Sequence, residues 1–114
     1  YKACVAIAPV TDWKLYDSAY TERYMRRPQV NDYGYQNASL MSHVNDLSGK
    51  VLIIHGTADD NVHVQHVMQY FDALIEADND FEMQLYTDDN HFLRKGKNYT
   101  HMHRRVLSFL RHNL

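Results

Sequence analysis

Two apolar runs each end in a loop rich in carboxylates and histidine, and this pairing restricts the fold more than any other feature. Residues 51–54 (VLII) are β-branched and Leu-rich, stop at Gly56, and empty into His55-Gly56-Thr57-Ala58-Asp59-Asp60-Asn61-Val62-His63. Residues 81–87 (FEMQLYT) alternate Phe81, Met83 and Leu85 with Glu82, Gln84 and Tyr86, the two-residue period of a strand, and empty into Asp88-Asp89-Asn90-His91. A third run, residues 2–9 (KACVAIAP), is closed by proline and fits a buried parallel strand.

Helical periods fill the intervals. Between residues 63 and 77, Val64, Val67, Met68, Phe71, Leu74 and Ile75 recur at three- and four-residue steps, predicting one buried stripe. Gln65, Gln69, Asp72 and Glu76 fall outside it. Residues 100–113 repeat the pattern with Met102, Val106, Phe109 and Leu110. Residues 18–26 and 38–47 read as shorter helices, the second with Asn37 as its N-cap. This alternation predicts right-handed crossovers and an α/β fold: three parallel strands with flanking helices. Three strands make a thin core with an open edge at the first strand, where further sheet would attach and where the chain would self-associate.

Composition narrows the function classes. The chain has 114 residues, enough for one core, and 45% of them are hydrophobic. A formal net charge of −2 gives no electrostatic footprint for nucleic acid, and no apolar run is long enough for a membrane segment. Cys4 excludes an internal disulfide, and its apolar neighbours predict a buried thiol.

Open parallel sheets place chemistry at the carboxyl ends of their strands. Asp59 and Asp60 follow one strand and His91 follows the next, so an acid and a base share one rim. Either carboxylate could accept the Nδ1–H of His91, leaving Nε2 to take a proton from a serine. The chain order Ser, Asp, His is that of α/β-hydrolases. None of Ser18, Ser39, Ser42, Ser48 and Ser108 sits in a Gly-x-Ser-x-Gly elbow, and Cys4 lies inside a strand. Residues 1–114 therefore read as one partial domain, the C-terminal portion of an α/β-hydrolase fold, inactive without its nucleophile.

The segments APVTDW (residues 8–13), YDSAYTERYM (residues 16–25) and HGTADDNVH (residues 55–63) resemble the dipeptidyl peptidase IV branch of the prolyl oligopeptidase family of serine peptidases, of bacterial type. The similarity is collinear over nearly the whole chain. It implies a preceding β-propeller, a serine shortly before Tyr1, and release of Xaa-Pro or Xaa-Ala dipeptides from peptide N-termini. It implies Asp59 as the acid, His91 as the base, and Asn61 as a side-chain donor to a substrate carbonyl. Val10, Trp13, Tyr16, Tyr20 and Val62 would wall a pocket for the penultimate proline, and the Tyr16 hydroxyl would help hold the substrate amine. Flat aromatic walls suit proline, which is compact and lacks an amide donor. The resemblance also implies a homodimer through the C-terminal helices, a periplasmic or cell-envelope location, and no cofactor. It departs at Phe92, where the family carries a small residue; that bulk is expected to shift the loop carrying the base.

Other signals weigh less. His63 with His66, and His101 with His103, lack a third ligand at suitable spacing, so no metal site is predicted. Asn37-Ala38-Ser39 and Asn98-Tyr99-Thr100 match a glycosylation pattern that arises often by chance. Glu22 and Arg26 are spaced for a helical ion pair. The competing readings are a non-catalytic binding or dimerisation module and a related acylaminoacyl or prolyl endopeptidase; Tyr16 and Tyr20 argue against the latter.

Overall fold

A computed structural model describes residues 1–114. Strands β1 (Ala3–Ile7), β2 (Lys50–Gly56) and β3 (Glu82–Tyr86) form one parallel sheet in the order β1-β2-β3. Ala3 pairs with Lys50 and Leu52 with Glu82, so β2 is the central strand and the open edge at β1 is as expected. Helices α1 (Ser18–Met25) and α2 (Asp32–Ala38) lie between the first two strands, α3 (Gln65–Glu76) between the next two, and α4 (Asn98–Asn113) ends the chain. No helix is long and apolar enough to cross a membrane.

The central strand builds two cores at once, because alternate side chains point to opposite faces. Val51 and Ile53 join Val67, Tyr70, Phe71 and Leu74 of α3, with Phe81 stacked on Phe71 at 5.1 Å. Leu52 and Ile54 join Tyr86, Leu93 and, from α4, Met102 and Phe109. Burial of each such side chain contributes about 1.5–3 kcal/mol. A helix on each face also explains Tyr86, expected among the polar positions of β3 yet buried: the α4 side of the strand is covered as well.

Four local expectations change. Residues 38–47 do not form one α-helix: Asn37 is absorbed into α2, and Leu40–Asp46 is a 3-10 segment that starts after Ser39. The sequence of α2 (DYGYQNA) is a poor helix former; burial of Tyr35, whose hydroxyl donates to the Arg26 carbonyl at 2.6 Å, supports it from outside. Arg26 leaves α1 with φ 62°, so the spacing that would pair it with Glu22 is lost, and its N–H instead donates to the Glu22 carbonyl at 3.0 Å. Cys4 is exposed, since it stands on the edge strand.

The stripe of α3 is also turned. Met68 and Ile75, expected inside, are 51% and 63% exposed, whereas His66 and Tyr70 are buried. Val67, Phe71 and Leu74 remain at its centre. The helix has rotated toward its polar-capable flank, where His66 finds a hydrogen-bond partner across the fold.

Candidate active site

The loop after β2 closes on its own carboxylate. Asp59 Oδ1 accepts from the Asn61 and Val62 amides, each at 2.9 Å, an arrangement set by two- and three-residue spacing. This turn buries Asp59 completely and aims Oδ2 outward, where His91 Nδ1 donates to it at 2.8 Å. Asp60 is exposed, so the choice that the sequence leaves open between the two carboxylates is made by the turn. With Nδ1–H committed to the carboxylate, the neutral imidazole presents Nε2 as an acceptor.

Beneath the acid lies His55, the last apolar-facing position of β2. Its Nε2–H donates to the Val62 carbonyl at 2.6 Å and stands 3.4 Å from Asp59 Oδ2. Burial pushes its pKa down, more than the Val62 and Asp59 contacts raise it. His55 is therefore a neutral brace that shuts the acid loop, not a second charge on Asp59.

The loop that carries His91 is held by a second buried carboxylate, Asp89. Its oxygens accept from the Asn90 amide at 2.9 Å, the Lys95 amide at 3.1 Å and the Asn98 side-chain amide at 2.8 Å. Burial alone would raise its pKa. The bonds from Asn98 and from the Lys95, Asn90 and Arg94 backbone outweigh it and hold Asp89 below the ordinary carboxylate value. The Asp89 carbonyl in turn accepts from Ala58 at 3.0 Å, tying the base loop to the acid loop. Gly56 permits this approach: a Cβ there would collide with the Asp89 carbonyl oxygen.

Phe92 does not displace the base. Its ring turns outward, 65% exposed, and lies edge-on to His91 with centroids 5.8 Å apart. The next residue, Leu93, goes inward instead, 1% exposed in the core under α4. Leu93 adopts φ 52°, a left-handed conformation costing about 1–2 kcal/mol, which its burial of about 1.5–3 kcal/mol offsets. One apolar residue anchors the loop and its neighbour is left at the rim.

The aromatic wall assembles on the exit from β1. Trp13 and Tyr20 stack at 6.2 Å, and Tyr16 stands edge-on to both, at 5.8 and 5.5 Å. The Tyr16 hydroxyl donates to Asn61 Oδ1 at 2.7 Å, which joins this wall to the acid loop and leaves the Asn61 Nδ2 donors free. Val62 is buried behind the loop and Val10 is half-buried. A recess of about 540 Å³ between the end of β3 and the start of α4 contains none of these residues. A smaller apolar one of about 160 Å³ is lined by Trp13, Tyr20, Thr21, Tyr24 and Met25.

The paired histidines are spent on structure. His66 is buried against Thr11, the His63 ring accepts from the Gln65 amide, His101 Nδ1 meets the Tyr86 hydroxyl at 2.8 Å, and His103 Nδ1 meets the Tyr99 carbonyl. Sequence reasoning missed His55, His66, Asp89 and Leu93. The signal for His55 was available, a histidine inside an otherwise apolar strand; for Asp89 it was no more than a doubled aspartate.

Known proteins match this chain along its length. Residues 1–114 match the family model described as the prolyl oligopeptidase family. A probable dipeptidyl-aminopeptidase B of Trichophyton verrucosum is 44% identical over 113 residues, covering 95% of this chain and 13% of its own length. Dipeptidyl peptidase 4 of Felis catus is 41% identical over 114 residues, covering 97% of this chain and 15% of its own. The crystal structure of Porphyromonas gingivalis dipeptidyl peptidase 4 superposes with a TM-score of 0.98 at 45% identity, covering all of this chain and 16% of that one. The chain thus spans about a seventh of the length of these proteins. Matched from end to end in both sequence and backbone, it belongs to the prolyl oligopeptidase family.

Proposed function

We propose that the chain supplies the acid and base of a serine exopeptidase that releases Xaa-Pro, and less readily Xaa-Ala, dipeptides from peptide N-termini. The observation that carries this is the Asp59–His91 couple at 2.8 Å, with the other carboxylate oxygen held by two amides. A serine on a Gly-x-Ser-x-Gly elbow outside these residues attacks the carbonyl of the penultimate residue, and His91 Nε2 takes its proton. Asp59 stabilises the imidazolium so formed. His91 then passes the proton to the departing amine, and water repeats the cycle on the acyl-enzyme.

Trp13, Tyr16, Tyr20, Val10 and Val62 wall the pocket for the proline ring. Asn61, oriented by Tyr16, donates to a substrate carbonyl, and the Tyr16 oxygen keeps lone pairs for the substrate ammonium. Pairing of two copies through α4 is supported by exposed Leu107 and Leu114.

The full-length gene product should hydrolyse glycyl-prolyl p-nitroanilide, and a serine-directed phosphonate should abolish that turnover. No turnover, or turnover indifferent to the phosphonate, rejects the reading. The 114 residues alone should be inert, because the elbow is not among them.

A further inference from the structure

We propose that His66 is a positioning residue that sets the selectivity of the proline pocket, by locking the aromatic wall onto helix α3. The inference rests on the peptidase reading above.

His66 has no exposed surface, and neither has Thr11, 55 residues away in sequence. The two residues clasp each other twice. Thr11 N–H donates to His66 Nδ1 at 3.2 Å, and Thr11 Oγ1 donates to the His66 carbonyl at 2.7 Å. Thr11 then accepts the Leu40 amide on its own carbonyl at 2.9 Å, so the clasp is anchored on both sides. It sits between Val10 and Trp13, at the root of the segment that bears the pocket wall. The imidazole also stands beside the Tyr16 ring, centroids 6.5 Å apart.

Accepting an amide N–H at Nδ1 fixes one state of the ring: neutral, with its proton on Nε2. That Nε2 lies near the Leu15 carbonyl without reaching hydrogen-bond geometry. Burial lowers the pKa, against the smaller opposing influence of Leu15, which keeps the acceptor available. A buried donor left unpaired at Thr11 would be relieved only by moving the backbone, and with it Trp13 and Tyr16.

The wall therefore has two ties to the acid loop and its helix. Tyr16 to Asn61 is the exposed one, at the rim; Thr11 to His66 is the buried one, at the base. The second is the nearer of the two to the end of β1. His66 touches neither Asp59 nor His91, so its loss should act on how the pocket grips its ligand and not on proton transfer.

The test is made in the full-length protein with glycyl-prolyl and glycyl-alanyl p-nitroanilides. His66→Phe keeps the ring volume and removes the acceptor. It should raise KM for the prolyl substrate about tenfold, cut the Pro-over-Ala ratio by a similar factor, and leave kcat within about twofold. Labelling of the serine by a small fluorophosphonate should keep its wild-type rate, because the relay is untouched. His66→Asn places Oδ1 where Nδ1 was and should restore KM and the ratio. If the Phe variant does not fold, Thr11→Val removes the other half of the clasp and should shift KM and the ratio in the same direction. Unchanged KM and Pro-over-Ala ratio in an active protein overturn the inference while leaving the peptidase reading intact. So do a fall in kcat with slower labelling, and failure of Asn to rescue. Absence of turnover in the unmodified protein defeats the peptidase reading itself.

Discussion

The acid–base rim and the aromatic wall share one edge of the molecule but are held together by different means. Each loop of the rim is closed locally, and the two loops meet across 32 residues where His91 reaches Asp59. Asp59 is set by amides two and three residues on, and Asp89 by groups one, six and nine residues on. The wall is held across the chain, by Tyr16 to Asn61 over 45 residues and Thr11 to His66 over 55. Local closure makes a rigid couple that depends on few neighbours. Remote closure makes a pocket whose shape depends on how two halves of the domain dock. Damage to the rim should therefore appear in kcat, and damage to the wall in KM.

The sharpest break of that contrast is Asp59→Asn in the full-length protein. An amide in place of the carboxylate stabilises the wrong tautomer of His91, and kcat should fall about 10⁴-fold with KM little changed. An effect confined to KM would put Asp59 on the wall's side of the comparison. Asp89→Ala tests the rim one step further out. Losing three bonds at the root of the base loop lets His91 drift, and kcat should fall about 10²-fold, the effect of a misplacement of roughly 1 Å. Retention of full kcat would show that Leu93 anchors the loop without help.

On the wall, Tyr16→Phe removes one exposed hydrogen bond and frees Asn61 to turn. Steady-state kinetics should show KM raised a few-fold, in line with about 0.5–1.5 kcal/mol, and kcat preserved. The smallest effect is on stability against pH. His55 and His66 have folded pKa values below the ordinary histidine value of 6.5, so the unfolded chain binds protons first on acidification. Their stabilisation is complete above 6.5 and declines as pH falls below it. Asp89, with its pKa held below 3.8, adds a further loss only in stronger acid. Exposed His43 runs the opposite way: its bonds to the Asn37 carbonyl and Asp46 raise its pKa, and its contribution fades as pH rises through that raised value. The thermal midpoint should thus drop between pH 7.5 and 5; a rise would mean that His43 outweighs the two buried rings.

Much of this was legible beforehand, and the pattern of what was not is instructive. All three strands, the long helices and the meeting of a carboxylate with His91 on one rim follow from hydrophobic period and from chemistry at strand ends. The identity of the acid did not, since Asp59 and Asp60 differ only in which one the turn folds inward. Nor did Phe92 and Leu93: two adjacent apolar residues compete for one core position, and α4 admits Leu93.

Sequence alone determined the elements that short-range spacing encodes: a β-branched central strand, a carboxylate turn that closes on itself, and a histidine loop on the same rim. Tertiary structure alone decided the roll of α3, which exposes Met68 and Ile75 and buries His66. The physical reason is that a helix can bury either flank of a broad apolar stripe at similar hydrophobic gain. The choice then falls to a polar contact, and the Thr11 amide that makes it lies on a strand exit 55 residues away.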